Sequence, residues 1–164
     1  MKLKVTAILL FVAAALVTPY PAQSQSEAPI VINEYDLNPV GNDNLKSVIE
    51  WVEIYNRTNY DINISGWTVE STHGARTGRV VIPQGTILEA GGYYVLGQGS
   101  QWLDNTEMII LRNASGNEID RTAETTDDES NAWTWQRCPN GFDSNSFNDW
   151  RFRAGTEGSA NNCG

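Results

Sequence analysis

Two carboxylates flank Trp51 and Val52 in the segment EWVEIYN, residues 50–56. Glutamates beside a tryptophan could form the acid and base of a glycoside-cleaving site. Such a pair needs its carboxyls ~5–10 Å apart across one substrate bond. The local pattern argues against it. Read as a β-strand, the segment alternates its side chains between two faces. Val48, Glu50, Val52 and Ile54 share one face; Ile49, Trp51, Glu53 and Tyr55 share the other. Glu50 and Glu53 are then polar marks at a sheet edge and on a solvent face, on opposite sides of the strand.

The remaining reactive residues are sparse. His73 is the only histidine, and it stands in STHGARTGR, a loop punctuated by glycine. Nucleophilic catalysis would need an oriented partner and a nucleophile in a strained elbow, and no G-x-S-x-G occurs. One imidazole also cannot build a histidine-rich zinc centre. His73 therefore reads as an exposed loop residue. Oxygen donors are more numerous. Glu34, Asp36, Asn38 and Asp43 gather in NEYDLNPVGND, and calcium takes six to eight oxygens from such loops. The EF-hand spacing is absent, so calcium at these four residues is the one cofactor the chain admits, set against ordinary turn chemistry. Asp127, Asp128 and Glu129 read as a hydrated acidic run.

Binding chemistry has stronger candidates. Trp133 and Trp135 are two apart, hence on one face of a strand, and Arg137 continues that face. Exposed rings of this kind can stack on sugars or anchor an interface. Arg151 and Arg153 complete the only basic cluster, where cation–π contacts and an anionic partner are expected. Core or sheet-surface packing is nevertheless the commoner role of such tryptophans.

Cys138 and Cys163 are the only cysteines. An even count in an exported chain favours a disulfide, and the CxxC spacing of a metal site is missing. Asn56, Asn63 and Asn113 head N-x-Ser/Thr triplets. These are candidate glycosylation acceptors if exposed, or else simply turn residues.

The elements that must position these groups are strands. The chain has 164 residues, enough for one domain. Short runs rich in Val, Ile, Tyr and Trp alternate with Gly, Asn, Asp and Pro clusters roughly every 8–12 residues, the pattern of an all-β sandwich or barrel. IVINEYD, VIEWVEIYN, GWTVEST, RVVIP, TILEA, GYYVLG, EMIILRN, NEIDRT and TWQRC are the expected strands. NASGN is a hairpin turn, with Gly116 able to take positive φ. CPNGFDSN is a second turn. TAETTDDESN is expected to be a mobile loop, and AGTEGSANNCG a polar tail held by the disulfide. No helix is expected after residue 25.

Residues 1–24 read as a signal peptide, with Lys2 and Lys4 before the apolar run VTAILLFVAAALV and small residues near a cleavage point. The run is shorter than the ~20 residues of a membrane span, although an uncleaved anchor is the alternative. The expected destination is therefore secreted or cell-surface, with no membrane-spanning segment in the mature chain. The formal net charge is -9. Removing Lys2 and Lys4 leaves nine basic against twenty acidic residues, a net charge of -11. That sign repels phosphate backbones and disfavours nucleic acid.

Taken in order, VINEYDLNPVGND, EWVEIYN, DINISGWTV, VIPQGTILEAGGYYVL, EMIILRNASGNEID and TWQRCPNGFDSN resemble lamin-tail domains, and most closely their exported prokaryotic branch. The resemblance spans residues 30–162. It implies an immunoglobulin-like β-sandwich, in agreement with the strand pattern. It also implies an interaction module, as in nuclear lamins, or a domain found beside secreted hydrolases and nucleases. This chain carries neither a catalytic domain nor a coiled-coil rod. The expected function is thus a non-catalytic extracellular module that binds surface proteins, glycans or the envelope. The alternative is a glycan- or nucleic-acid-binding accessory to a separate secreted hydrolase or nuclease.

Overall fold

The computed structural model describes residues 28–73 and 78–164. The signal peptide expected at 1–24 lies outside the described residues, as does part of the His73 loop. Strands dominate: β1 (Ile30–Asp36), β2 (Glu50–Asn56), β3 (Ile62–Asn63), β4 (Thr68–Ser71), β5 (Arg79–Val81), β6 (Ile87–Leu88) and β7 (Tyr93–Gln98) come first. Then follow β8 (Thr106–Glu107), β9 (Ile109–Arg112), β10 (Glu118–Arg121), β11 (Thr125–Thr126), β12 (Trp133–Arg137) and β13 (Trp150–Ala154). Among the described residues one 3-10 turn, Phe147–Asp149, precedes β13.

Two antiparallel sheets form the sandwich. One has the order β13-β12-β1-β2-β7 and the other β10-β9-β4-β5. Alternation supplies the apolar layer between them. Ile32, Tyr35, Val52 and Ile54 face Val69, Ile109 and Leu111, with Trp67 and Trp150 closing the ends. Register is kept by an irregularity between Ile32 and Glu34. The extra residue lets Ile30 and Ile32, then Tyr35 and Leu37, all reach the core, while Asn33 and Glu34 both turn to the outer face.

The second sheet is displaced toward one end of the first. β10 lies against β1, and β5 against β7. β12 meets the second sheet through Arg137, ion-paired to Asp120 of β10, and β13 sends Trp150 into the core. Trp133 and Phe152, farther along the same face, are left at the rim of the sandwich.

NASGN turns as expected, with Gly116 at φ 81° and its N–H on the Asn113 carbonyl. Two expectations are corrected. TAETTDDESN is not a free loop: Thr125–Thr126 pairs with Thr106–Glu107, and Thr122, Thr125 and Asp127 are buried. The second is an omission, since β13 was not among the expected strands.

Candidate functional site

The paired-glutamate question has a definite geometric answer. Both carboxylates are fully buried, which corrects the solvent-face expectation, but they do lie on opposite sides of β2. Glu50 points toward the core end, where its Oε2 accepts from Leu103 N–H at 2.7 Å. Glu53 points to the outer face, accepting from Asn33 Nδ2 at 3.1 Å and Gly158 N–H at 2.7 Å. No single substrate bond can sit between them. Burial pushes each up to about 7, against the opposing pull of these donors.

Glu53 belongs to a polar layer that explains the burial. The tail from Gly155 to Gly164 lies across the outer face of the first sheet. Glu34 accepts from Thr134 Oγ1, Gln136 Nε2 and the Thr156 main chain and hydroxyl. Asn161 Nδ2 donates to the carbonyls of Asn33 and Arg137. The Cys138–Cys163 disulfide, with Cα atoms 5.4 Å apart, pins the tail's end.

That layer also disperses the expected calcium donors. Glu34 is committed to the tail. Asp36 accepts from Asn38 N–H, and burial, with Asp127 nearby, raises it to about 7. Asp43 is in the loop before β2 and accepts from its neighbour Asn44. Among the described residues no three His, Cys, Asp or Glu side chains converge as metal ligands. The four donors do not converge on one site: Glu34 is taken by the tail, Asp36 by the Asn38 main chain, Asn38 donates its Nδ2 to the Asp127 carbonyl, and Asp43 stands apart in the loop before β2.

His73 is exposed; its N–H bonds to Glu107 Oε1 and its Nδ1 meets the Thr106 carbonyl. Of the three sequons, Asn56 is corrected outright. It is fully buried, and its Nδ2 donates to the carbonyls of Tyr60, Leu88 and Glu89. Asn63 is exposed and Asn113 half-buried, each with its carbonyl oxygen closing a turn.

The binding strip divides in two. Arg137 is 1 % exposed, so it is no ligand surface. Its guanidinium is ion-paired to Asp120 at 2.9 Å and Asp143 at 2.7 Å, with Asp149 at 3.6 Å, and it lies over the Trp150 ring. Trp133 and Trp135 do reach the rim. Trp133 is 48 % exposed and Phe147 53 % exposed. Phe152 packs on Trp133 at 5.6 Å and on Trp135 at 5.2 Å, and Phe147 meets Trp135 at 5.8 Å. Trp135 Nε1 is satisfied by the Thr126 carbonyl, so the row faces out as apolar ring surface. Arg151 and Arg153 alternate to the opposite face of β13 and do not stack on it.

The sequence reading missed Phe147 and Phe152. The signal was present: WRFR alternates aromatic and basic residues at the period of a strand.

A family model, lamin tail domain, matches residues 23–126 of the chain. The chain belongs to the lamin tail domain family. Lamin tail domains are immunoglobulin-like, non-enzymatic modules that generally serve protein interaction, which fits a molecule whose carboxylates are divided between two faces. In this lamin tail domain the aromatic row, β12, β13 and the disulfide-pinned tail all lie beyond the matched stretch. No curated protein matches the chain.

Proposed function

We propose that this lamin tail domain is an exported, non-catalytic module that docks other surface or envelope proteins on the aromatic row at its β12–β13 rim. The observation that carries the reading is that row itself: Trp133, Trp135, Phe152 and Phe147 packed together at the rim, with Trp133 48 % exposed. Contiguous apolar patches on a soluble surface usually mark interaction sites, and buried aromatic anchors dominate interface energies. Export is supported by the N-terminal apolar run and by paired cysteines, which suit an oxidising compartment.

Glycan binding is the second reading, and the ring geometry disfavours it. The interplanar angles are 53°, 61° and 43°. A tilted row offers edges and faces alternately, whereas successive sugar rings stack best on coplanar faces. Nucleic acid is disfavoured by the net charge of -9.

A photo-crosslinking residue in place of Phe147, compared with one in place of exposed Glu89, tests the reading on intact cells. Discrete protein adducts from position 147 alone are expected. Equal labelling from both positions, or metal-dependent phosphodiesterase or glycosidase turnover by the purified domain, would overturn it.

A further inference from the structure

β13 is the outermost strand of the five-stranded sheet, paired only with β12. Bonds at both ends of the ladder fix which main-chain groups face outward. Cys138 N–H donates to the Asp149 carbonyl, and Gly155 N–H to the Ala132 carbonyl. Those bonds make Arg137–Trp150 and Trp133–Ala154 non-hydrogen-bonded pairs, so Arg151 and Arg153 direct their main-chain groups to β12. The groups of Trp150, Phe152 and Ala154 face away. Trp150 is already served: its N–H reaches the Phe147 carbonyl, and its carbonyl accepts from Arg151 Nη1. The Ala154 carbonyl accepts from Gln136 Nε2. Phe152 N–H, the Phe152 carbonyl and Ala154 N–H remain along the rim.

Side chains sort along the same rim. Phe152 joins the aromatic row on the inner face. On the outer face, Arg151 bonds to the carbonyls of Asn148 and Trp150, and Arg153 to the Gly164 carbonyl. Neither is ion-paired to an Asp or Glu side chain among the described residues. In so acidic a chain, this edge presents two arginines without an aspartate or glutamate ion pair.

We infer that β13 accepts strand addition by an extended segment of a partner protein that alternates acidic and apolar residues. This rests on the docking reading above and names the partner's chemistry. The acidic residues face Arg151 and Arg153, the apolar ones cover Phe152 and the tryptophans, and main-chain bonds form to Phe152 and Ala154. A second copy of this chain fits poorly. Antiparallel registers centred on Trp150 or Ala154 run off β13 onto the 3-10 turn or the tail. Those centred on Arg151, Phe152 or Arg153 set an arginine opposite an arginine, and like charges directly opposed are destabilising. A basic segment meets the same objection.

The test is selection of peptides from a random displayed library on the disulfide-intact protein. Enriched sequences should alternate Asp or Glu with Val, Ile or aromatic residues. Their affinity should fall about tenfold on Ala154→Pro, which deletes an outward donor but no bond to β12. It should fall similarly with Arg151→Glu and Arg153→Glu combined, and return when the peptide's acids are exchanged for lysine. Peptides that require Trp133 and Trp135 but are indifferent to Ala154→Pro and to the charge reversal would overturn strand addition and leave aromatic docking standing. Selection that ignores all these positions would overturn both.

Discussion

Arg137 concentrates more electrostatic consequence than any other side chain. One guanidinium faces Asp120, Asp143 and Asp149 where almost no water enters. Its Nε also holds the Ile32 carbonyl at 2.8 Å. Removing one member of a buried ion pair leaves the other charge uncompensated. Arg137→Met should therefore destabilise the domain by about 3–5 kcal/mol, read by urea denaturation. Adding Asp120→Asn should restore part of that loss, because Asp120 is already pushed up to about 6 by burial. Glu50 carries a different prediction. Its Oε1 has no hydrogen-bond partner, and burial raises it from 4.5 to about 7. The folded chain thus binds a proton that the unfolded chain releases across this window. The stability Glu50 contributes is complete below pH 4.5 and is lost as the pH rises toward 7. Glu50→Gln should gain about 1–3 kcal/mol relative to the parent between pH 4.5 and 7.5. A constant difference across that range would contradict the assignment.

At the scale of elements, the tail decides how the outer face behaves. It carries no strand, yet Thr156, Gly158 and Asn161 bond to Glu34, Glu53 and Asn140 through their main chains. The disulfide closes a sequence separation of 25 residues, which the chain-entropy model values at about 3.5 kcal/mol. Replacing Cys138 and Cys163 together by serine should lower stability by roughly that amount. Amide exchange should rise at Thr156, Gly158 and Asn161 while the β4–β9 ladder keeps its protection. Uniform acceleration across both sheets would instead mean that the tail unfolds only with the whole domain. β13 shows how an element escapes notice. Its five residues alternate correctly, but they follow the turn-rich stretch CPNGFDSNSFND, and they pair with β12 at the sheet's margin.

At the scale of the molecule, the offset between the two sheets creates the surface on which the proposed docking depends. Were the second sheet centred, Trp133, Trp135 and Phe152 would be ordinary core. The acidic excess sets a separate expectation. Filter binding should retain neither single- nor double-stranded DNA at physiological salt, because phosphate neutralisation requires a basic face. Retention that weakens steeply with added salt would reverse that reading.

Much was legible in the residues alone. Period-two alternation in IVINEYD and EWVEIYN, Gly and Asn at the turns, and a pair of cysteines each act over a few residues or by simple parity. They determined strands, hairpins, the disulfide and the opposed directions of Glu50 and Glu53. Only the tertiary structure decided what lies over each face. Glu53 is buried because a tail more than a hundred residues later lies on it. Asn56 is enclosed by carbonyls of the β6 region. Arg137 is neutralised by aspartates arriving from separate segments, whereas Trp133, four residues before it on the same face, is left at the rim. Burial and charge pairing depend on which distant segments meet, and alternation within one strand carries no record of that.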